Sequence, residues 1–165
     1  MDTGYAAFNG PFVIRYPRGK GEMKDWRNEM QVLPIGKGKK LRDGDDIAVL
    51  SIGPIGNEVI KAIEMVKEEG VSIAHYDMIY LKPLDEELLH EIGRKYNRII
   101  TVENGVIKGG FGSAVLEFMA DNGYTPHVKR IGVPDAFIEH GSIPELYQLC
   151  GMDAESIAKQ LKKEN

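Results

Sequence analysis

The sequence predicts an α/β fold: a three-layer α/β/α sandwich on a mostly parallel, mixed sheet. Three observations point there. Short β-rich runs and amphipathic helical runs alternate four times from residue 47 onward, the pattern of a parallel sheet with helices on both faces. Within the helical runs, apolar residues recur at the spacing of one helix face. The helical runs begin at capping residues and stop at glycines.

The elements follow in order. "IAVLSIG" (47–53) reads as a strand closed by glycine. "PIGNEVIKAIEMVKEEG" (54–70) places Ile55, Val59, Ile63 and Val66 on one helical face and stops at Gly70. "VSIAHYD" (71–77) is the second strand. "PLDEELLHEIGRKYN" (83–97) opens with Pro83 and the capper Asp85 and stacks Leu88, Leu89, Ile92 and Tyr96 inward. "RIITVEN" (98–104) is the third strand, and "GFGSAVLEFMADNG" (110–123) a helix with Ala114, Val115, Phe118 and Met119 inward. "HVKRIGV" (127–133) is the fourth strand. "SIPELYQLCG" (142–151) starts with a capping box, Ser142 to Glu145, and ends at Gly151. "DAESIAKQLKKEN" (153–165) is a capped terminal helix with lysines near its end.

The first residues do not fit that unit. "GPFVIRYPRGKG" (10–21) contains one apolar strand, 12–16, stopped by Pro17 and Gly19. A polar stretch with one tryptophan follows (22–32), then a turn-rich lead-in (33–46) with room for a short edge strand. A strand with no local partner reads as the edge of a preceding domain. The expected division is residues 1–18 as that terminal strand, 19–34 as linker and 35–165 as the α/β domain.

Composition narrows the function. The formal net charge is −4, and no basic stretch is interleaved with aromatics, which disfavours nucleic acid as a partner. No apolar run approaches the ~20 residues that span a bilayer. The opening "MDTGYAAFNG" lacks the basic and apolar regions of a secretion signal. Cys150 is the only cysteine, so no internal disulfide forms and a reducing, cytoplasmic setting is expected. Cys150 itself reads as a small packed side chain at a helix end rather than as a nucleophile.

"ENGVIKGGFGSAV" (103–115) lies between a strand and a helix, where many α/β proteins hold phosphate. It does not match a P-loop, because Phe111 and Gly112 stand where Lys and Ser/Thr belong. It does not match the dinucleotide fingerprint either, because Val115 takes the third glycine position. Glu103 would repel a phosphate there, partly offset by Lys108. The glycines are read instead as allowing a tight turn and close packing against a neighbouring chain or domain.

"IRYPRG" carries Arg15 and Arg18 around a strand end. Strand alternation separates Arg15 from Tyr16, and Pro17 stiffens the exit toward Arg18. A guanidinium suits phosphate or carboxylate; a solvated surface arginine is the alternative. His75, His90, His127 and His140 show no metal-ligand spacing and read as surface or hydrogen-bonded residues. "GDD" (44–46) resembles the start of a G-D-G diphosphate motif but precedes a strand and lacks the paired asparagine, so it reads as a polar turn. No Ser-His-Asp or Cys-His arrangement follows from order or spacing.

Five stretches, "GPFVIRYPRGKG", "LPIGKGKKLRDGDDIAVLSIGPI", "YLKPLDEELL", "TVENGVIKGGFGSAVLEF" and "IGVPDAFIEHGSIPELYQLCGMD", in this order resemble the C-terminal end of the 1-deoxy-D-xylulose-5-phosphate synthase family. The resemblance covers nearly the whole chain. It implies a transketolase C-terminal type of domain preceded by the last strand of a pyrimidine-binding domain. It implies a transferase that condenses pyruvate with glyceraldehyde 3-phosphate, with loss of carbon dioxide, for isoprenoid, thiamine and pyridoxal synthesis. The cofactors implied are thiamine diphosphate and magnesium, held by domains other than this one. A homodimer is implied, with this chain serving as scaffold and inactive alone. Arg18 matches the family arginine that binds the aldehyde's phosphate; Arg15 is a lesser candidate, and no catalytic, cofactor or metal residue is carried over. "CGMD" (150–153) departs mildly from the family's leucine-glycine-leucine-aspartate. "LPIGK" and "KPLD" are shared with 2-oxoacid dehydrogenase β subunits, so that subunit or a transketolase is the near alternative. A non-catalytic, flavodoxin-like nucleotide-binding module is the distant one.

Overall fold

A computed structural model of the chain describes residues 2–6, 10–16 and 31–162. Its strands are β1 (Lys39–Arg42), β2 (Ile47–Ile52), β3 (Ile73–Asp77), β4 (Arg98–Val106) and β5 (His127–Val133). Its helices are α1 (Asp2–Ala6), α2 (Gly56–Met65), α3 (Glu86–Lys95), α4 (Phe111–Asp121), α5 (Ile143–Leu149) and α6 (Ala154–Leu161). The strands form one sheet in the order β1-β3-β2-β4-β5. The β3–β2, β2–β4 and β4–β5 pairs are parallel, and only β1, on the edge, runs antiparallel.

The sheet separates two cores. Val49, Ile100 and Val102 pack with Val59, Ile63, Ile157 and Leu161 on the side of α2 and α6. Leu50, Ile99 and Tyr76 pack with Leu89, Ile92, Val115 and Met119 on the side of α3 and α4. The central strand β2 is buried on both faces, which is why its sequence is apolar at all but Ser51 rather than alternating. Each fully buried aliphatic side chain contributes about 1.5–3 kcal/mol relative to exposure. The three-layer expectation holds, and so do the inward positions Ile55, Val59, Ile63, Val66, Leu89, Ile92 and Tyr96.

Several boundaries follow the capping residues. Asp85 caps α3 by accepting from the N–H of Leu88 at 3.2 Å. The Glu145 carboxylate accepts from the N–H and the hydroxyl of Ser142 at 2.9 and 2.6 Å, completing the box at the start of α5. Asp153 caps α6. The helix expected over 54–70 is shorter: α2 ends at Met65, and residues 67–69 form a 3-10 turn before Gly70, in the left-handed region.

Residues 11–16 carry no strand. A strand needs a hydrogen-bonding neighbour, and among the described residues none pairs with this segment. Arg18, Pro17 and the polar stretch up to residue 30 lie outside the described residues.

Candidate functional site

The connection after β2 runs to β3 on one side, and the connection after β4 runs to β5 on the other. The strand order therefore reverses between β2 and β4, and a crevice opens at their carboxyl ends, the place where open α/β sheets present ligand sites. In register, Ile52 stands beside Glu103 there. A cleft of about 240 Å³ lies over this point. Its walls include Ile52 at the end of β2 with Gly53 and Pro54 after it, Glu103 and Asn104 in β4, and Val13, Arg15 and Tyr16 from the irregular N-terminal segment.

Glu103 organises the floor. The N–H of Phe111 donates to Oε2 and the N–H of Gly112 to Oε1, each at 2.8 Å. Gly110, the residue before α4, offers no side-chain cap, so the carboxylate does that work from the neighbouring strand. A helix N-terminus carries roughly half a positive charge, and a carboxylate seated on it is stabilised there. A Cβ on Gly105 would stand 2.9 Å from Glu103 Oε2, and one on Gly132 3.1 Å from Glu103 Cγ. The glycines make room for Glu103 inside this domain.

The loop after Glu103 is tied to the start of α4 and to β5. Arg130 Nη1 donates to the Ile107 carbonyl at 2.9 Å and to Ser113 Oγ at 2.8 Å, and the N–H of Gly109 donates to Ser113 Oγ at 3.0 Å. Lys108, read as only a partial offset to Glu103, pairs with Asp135 at 3.2 Å.

The opposite wall is the turn after β3. Ile79 sits at φ +52°, a conformation that is costly for a β-branched residue. Its N–H donates to Asp77 Oδ1 at 3.1 Å. Burial raises the Asp77 carboxyl above its usual range, and that hydrogen bond partly opposes the shift. Asn104 donates to the Tyr147 hydroxyl at 3.3 Å. Behind it lies a second, mostly apolar cavity of about 200 Å³, lined by Val133, Ile143, Leu146 and Met152 among others. Cys150 lines that cavity at the end of α5, half-buried, as a helix-end packing residue.

The structure also brings together a pair that sequence order gave no reason to join. Ser51 Oγ and His75 Nε2 lie 2.8 Å apart on adjacent strands, both buried. Burial lowers the His75 pKa to about 4, so the ring is neutral at pH 7. A Cβ on Gly56 would stand 2.9 Å from Ser51 Oγ, so the start of α2 closes over the serine and no substrate reaches it. The available signal was positional: both residues lie on the α2 side of parallel neighbouring strands. His90 bonds the Tyr124 hydroxyl at 3.0 Å, while His127 and His140 are exposed. In the "GDD" turn, the Gly44 carbonyl accepts from Tyr96 and Lys95, and Asp46 accepts from the N–H of Ser72, so it is a structural turn.

Among the described residues, no group of three or more His, Cys, Asp or Glu could hold a metal ion. None of their helices is long and apolar enough to cross a membrane.

Comparison with known proteins converges on one family. The family model "Transketolase, C-terminal domain" matches residues 36–157. The chain is 98% identical over 165 residues to a 1-deoxy-D-xylulose-5-phosphate synthase of Parabacteroides distasonis, covering 100% of this chain and 26% of that protein. It is 60% identical to the synthase of Bacteroides thetaiotaomicron over 99% of this chain and 26% of that protein. The chain thus spans about a quarter of the length of these relatives. Among solved structures, a split-gene transketolase described as an inactive beta4 tetramer superposes with TM-score 0.70 at 32% identity, over 79% of this chain and 45% of that one. The matched region and the superposition agree: this chain belongs to the transketolase C-terminal domain family.

Proposed function

We propose that this chain is the C-terminal part of a 1-deoxy-D-xylulose-5-phosphate synthase, a thiamine-diphosphate-dependent transferase. In that reaction pyruvate loses carbon dioxide, and its two-carbon unit forms a new carbon–carbon bond to glyceraldehyde 3-phosphate. The observation that carries this reading is the 98% identity over all 165 residues to a protein of that name. The stretches "RYPRG" and "PDAFIEHGS" favour the synthase over a transketolase or a 2-oxoacid dehydrogenase β subunit.

Residues 35–165 are assigned to the C-terminal domain, 1–18 to the end of a pyrimidine-binding domain and 19–34 to the linker between them. Arg18 is assigned to the phosphate of glyceraldehyde 3-phosphate, a fork matched to an anion. The assembly is a cytoplasmic homodimer in which this part serves as scaffold.

Thiamine diphosphate, with magnesium, supplies the carbanion chemistry of such enzymes. The residues of the cleft do not fit that group. Glu103 places a negative charge on the helix N-terminus that a diphosphate would need, and both of its oxygens are already engaged there. Cofactor and metal are therefore assigned to other regions of the longer protein. The same carboxylate disfavours the nucleotide-binding module.

The experiment is a paired assay with pyruvate, glyceraldehyde 3-phosphate, magnesium and cofactor. The full-length protein should form product, and the isolated chain should not exceed a protein-free blank. Product from the isolated chain would overturn this division of labour.

A further inference from the structure

His75 is 1% exposed, yet it lines a cavity on the α2 side of the sheet. The cavity holds about 220 Å³ between Leu41 and Arg42 of β1, Ile60, Ile63 and Glu64 of α2, and His75 of β3. Arg42 stands opposite His75 in register, just past the shift in the β1–β3 pairing. On the outer wall Arg42 Nη1 donates to Glu64 Oε1 at 3.1 Å, and Lys67 Nζ lies 3.4 Å from Glu64 Oε2.

The His75 ring is held on one side. Nε2 lies 2.8 Å from Ser51 Oγ, and Nδ1 has no hydrogen-bond partner among the described residues. Nδ1 also keeps contact with solvent, so the cavity is the space it faces. Burial lowers the ring's pKa to about 4, so at pH 7 it carries one proton. The buried Ser51 hydroxyl has no other partner among the described residues. By donating to Nε2 it leaves no buried proton unpaired. The ring's own proton then sits on Nδ1, on the cavity side.

We propose that this cavity binds a small neutral molecule, apolar except for one acceptor oxygen, which takes the Nδ1–H of His75. Leu41, Ile60 and Ile63 supply apolar walls. A cation finds no unengaged carboxylate there, because Arg42 and Lys67 hold Glu64. An anion would have to break that pair and lie against Glu64. An apolar cavity of roughly 150 Å³ holds one benzene ring, so a six-membered ring ketone fits the space. The site is independent of the synthase reading.

The test uses the full-length protein carrying this sequence, with cyclohexanone as probe and saturation-transfer NMR at pH 7 as readout. Cyclohexanone should bind with a Kd on the order of 1 mM, as so small a ligand allows. Ile60→Trp fills the entrance from a half-exposed position, so the Tm should hold while binding falls roughly tenfold or more. His75→Phe keeps a ring and removes the donor, and should weaken binding roughly three- to tenfold, the worth of one hydrogen bond. Should that variant fail to fold, Ile60→Trp decides. No transfer to cyclohexanone at about ten times that Kd overturns the proposal. So does equal binding by wild type and Ile60→Trp, or undiminished binding by a folded His75→Phe.

Discussion

The backbone N–H of Gly112 donates to Glu103 Oε1 at 2.8 Å, across nine residues of chain. With the parallel bond from Phe111, it places a buried carboxylate where related α/β turns receive a phosphate. The glycine-rich turn is thus filled from within. Its function is to lock the end of β4 to the start of α4, and among the described residues Glu103 is the one acidic side chain that lines the cleft above.

That lock is a stability element. Glu103→Ala should cost about 2–4 kcal/mol, since two buried N–H groups lose a charged acceptor. Glu103→Gln keeps one acceptor and should cost roughly half as much. Urea unfolding of the isolated chain measures both, and a loss below about 0.5 kcal/mol for the alanine variant would show that the cap is dispensable.

Gly112 is required for its lack of a side chain. A Cβ there would stand 2.5 Å from Thr101 Oγ1 and 2.9 Å from Arg130 Cγ. Gly112→Ala should therefore destabilise by about 1–3 kcal/mol through overpacking, read as a shift in the urea midpoint.

Thr101 itself should tolerate change. Its hydroxyl is fully buried and has no hydrogen-bond partner among the described residues. Thr101→Val replaces that hydroxyl with a methyl of similar size, so stability should stay level or rise by up to about 1 kcal/mol. A clear loss of stability would reveal a hydrogen bond that this geometry lacks.

His75 should make the domain acid-sensitive. Its pKa is lowered by burial to about 4 in the folded chain, against about 6.5 when unfolded. Between these values the unfolded state binds the proton and the folded state does not. Stability is therefore full above about pH 6.5, falls as pH drops toward 4 and levels off below. The whole window amounts to about 3 kcal/mol. Asp77, with its raised carboxyl, shifts stability in the opposite sense, so the measurement is the difference between wild type and His75→Gln across pH 7 to 4. A difference that stays flat would sink the assignment.

Asp85 does more than cap α3. Its Oδ2 also accepts from the N–H of Gly38 at 2.9 Å, and Lys37 Nζ lies 3.5 Å from Oδ1. It therefore ties the lead-in before β1 to the helix. Asp85→Ala should cost about 2 kcal/mol, more than an ordinary cap. Asp85→Asn should cost roughly half as much, because the amide keeps one acceptor and turns its NH2 toward the other N–H. Thermal unfolding separates the two.

The helices were legible where their signals are local. Ile55, Val59, Ile63 and Val66 declared a buried face by spacing alone, and Asp85, Ser142 and Asp153 marked helix starts that the structure keeps. The end of α2 was not, because Gly70 terminates a 3-10 turn as readily as an α-helix. The segment 12–16 has strand composition and no strand, because β structure needs a hydrogen-bonding neighbour as well as a suitable sequence. At the candidate site, Glu103 was visible as a charge unfavourable to phosphate. That it occupies the phosphate position itself was not visible.

By itself, then, the sequence determined the order of strands and helices, the layered class and the absence of a phosphate-binding motif. Periodicity, caps and glycine stops act over a few residues, and the chain carries them wherever it goes. The tertiary structure alone decided that Glu103 meets Gly112, that Ser51 meets His75 and that Arg15 faces the end of β4. Those contacts exist only once β2 has settled between β3 and β4 in one register, an outcome set by burial across the whole sheet and by no single stretch of residues.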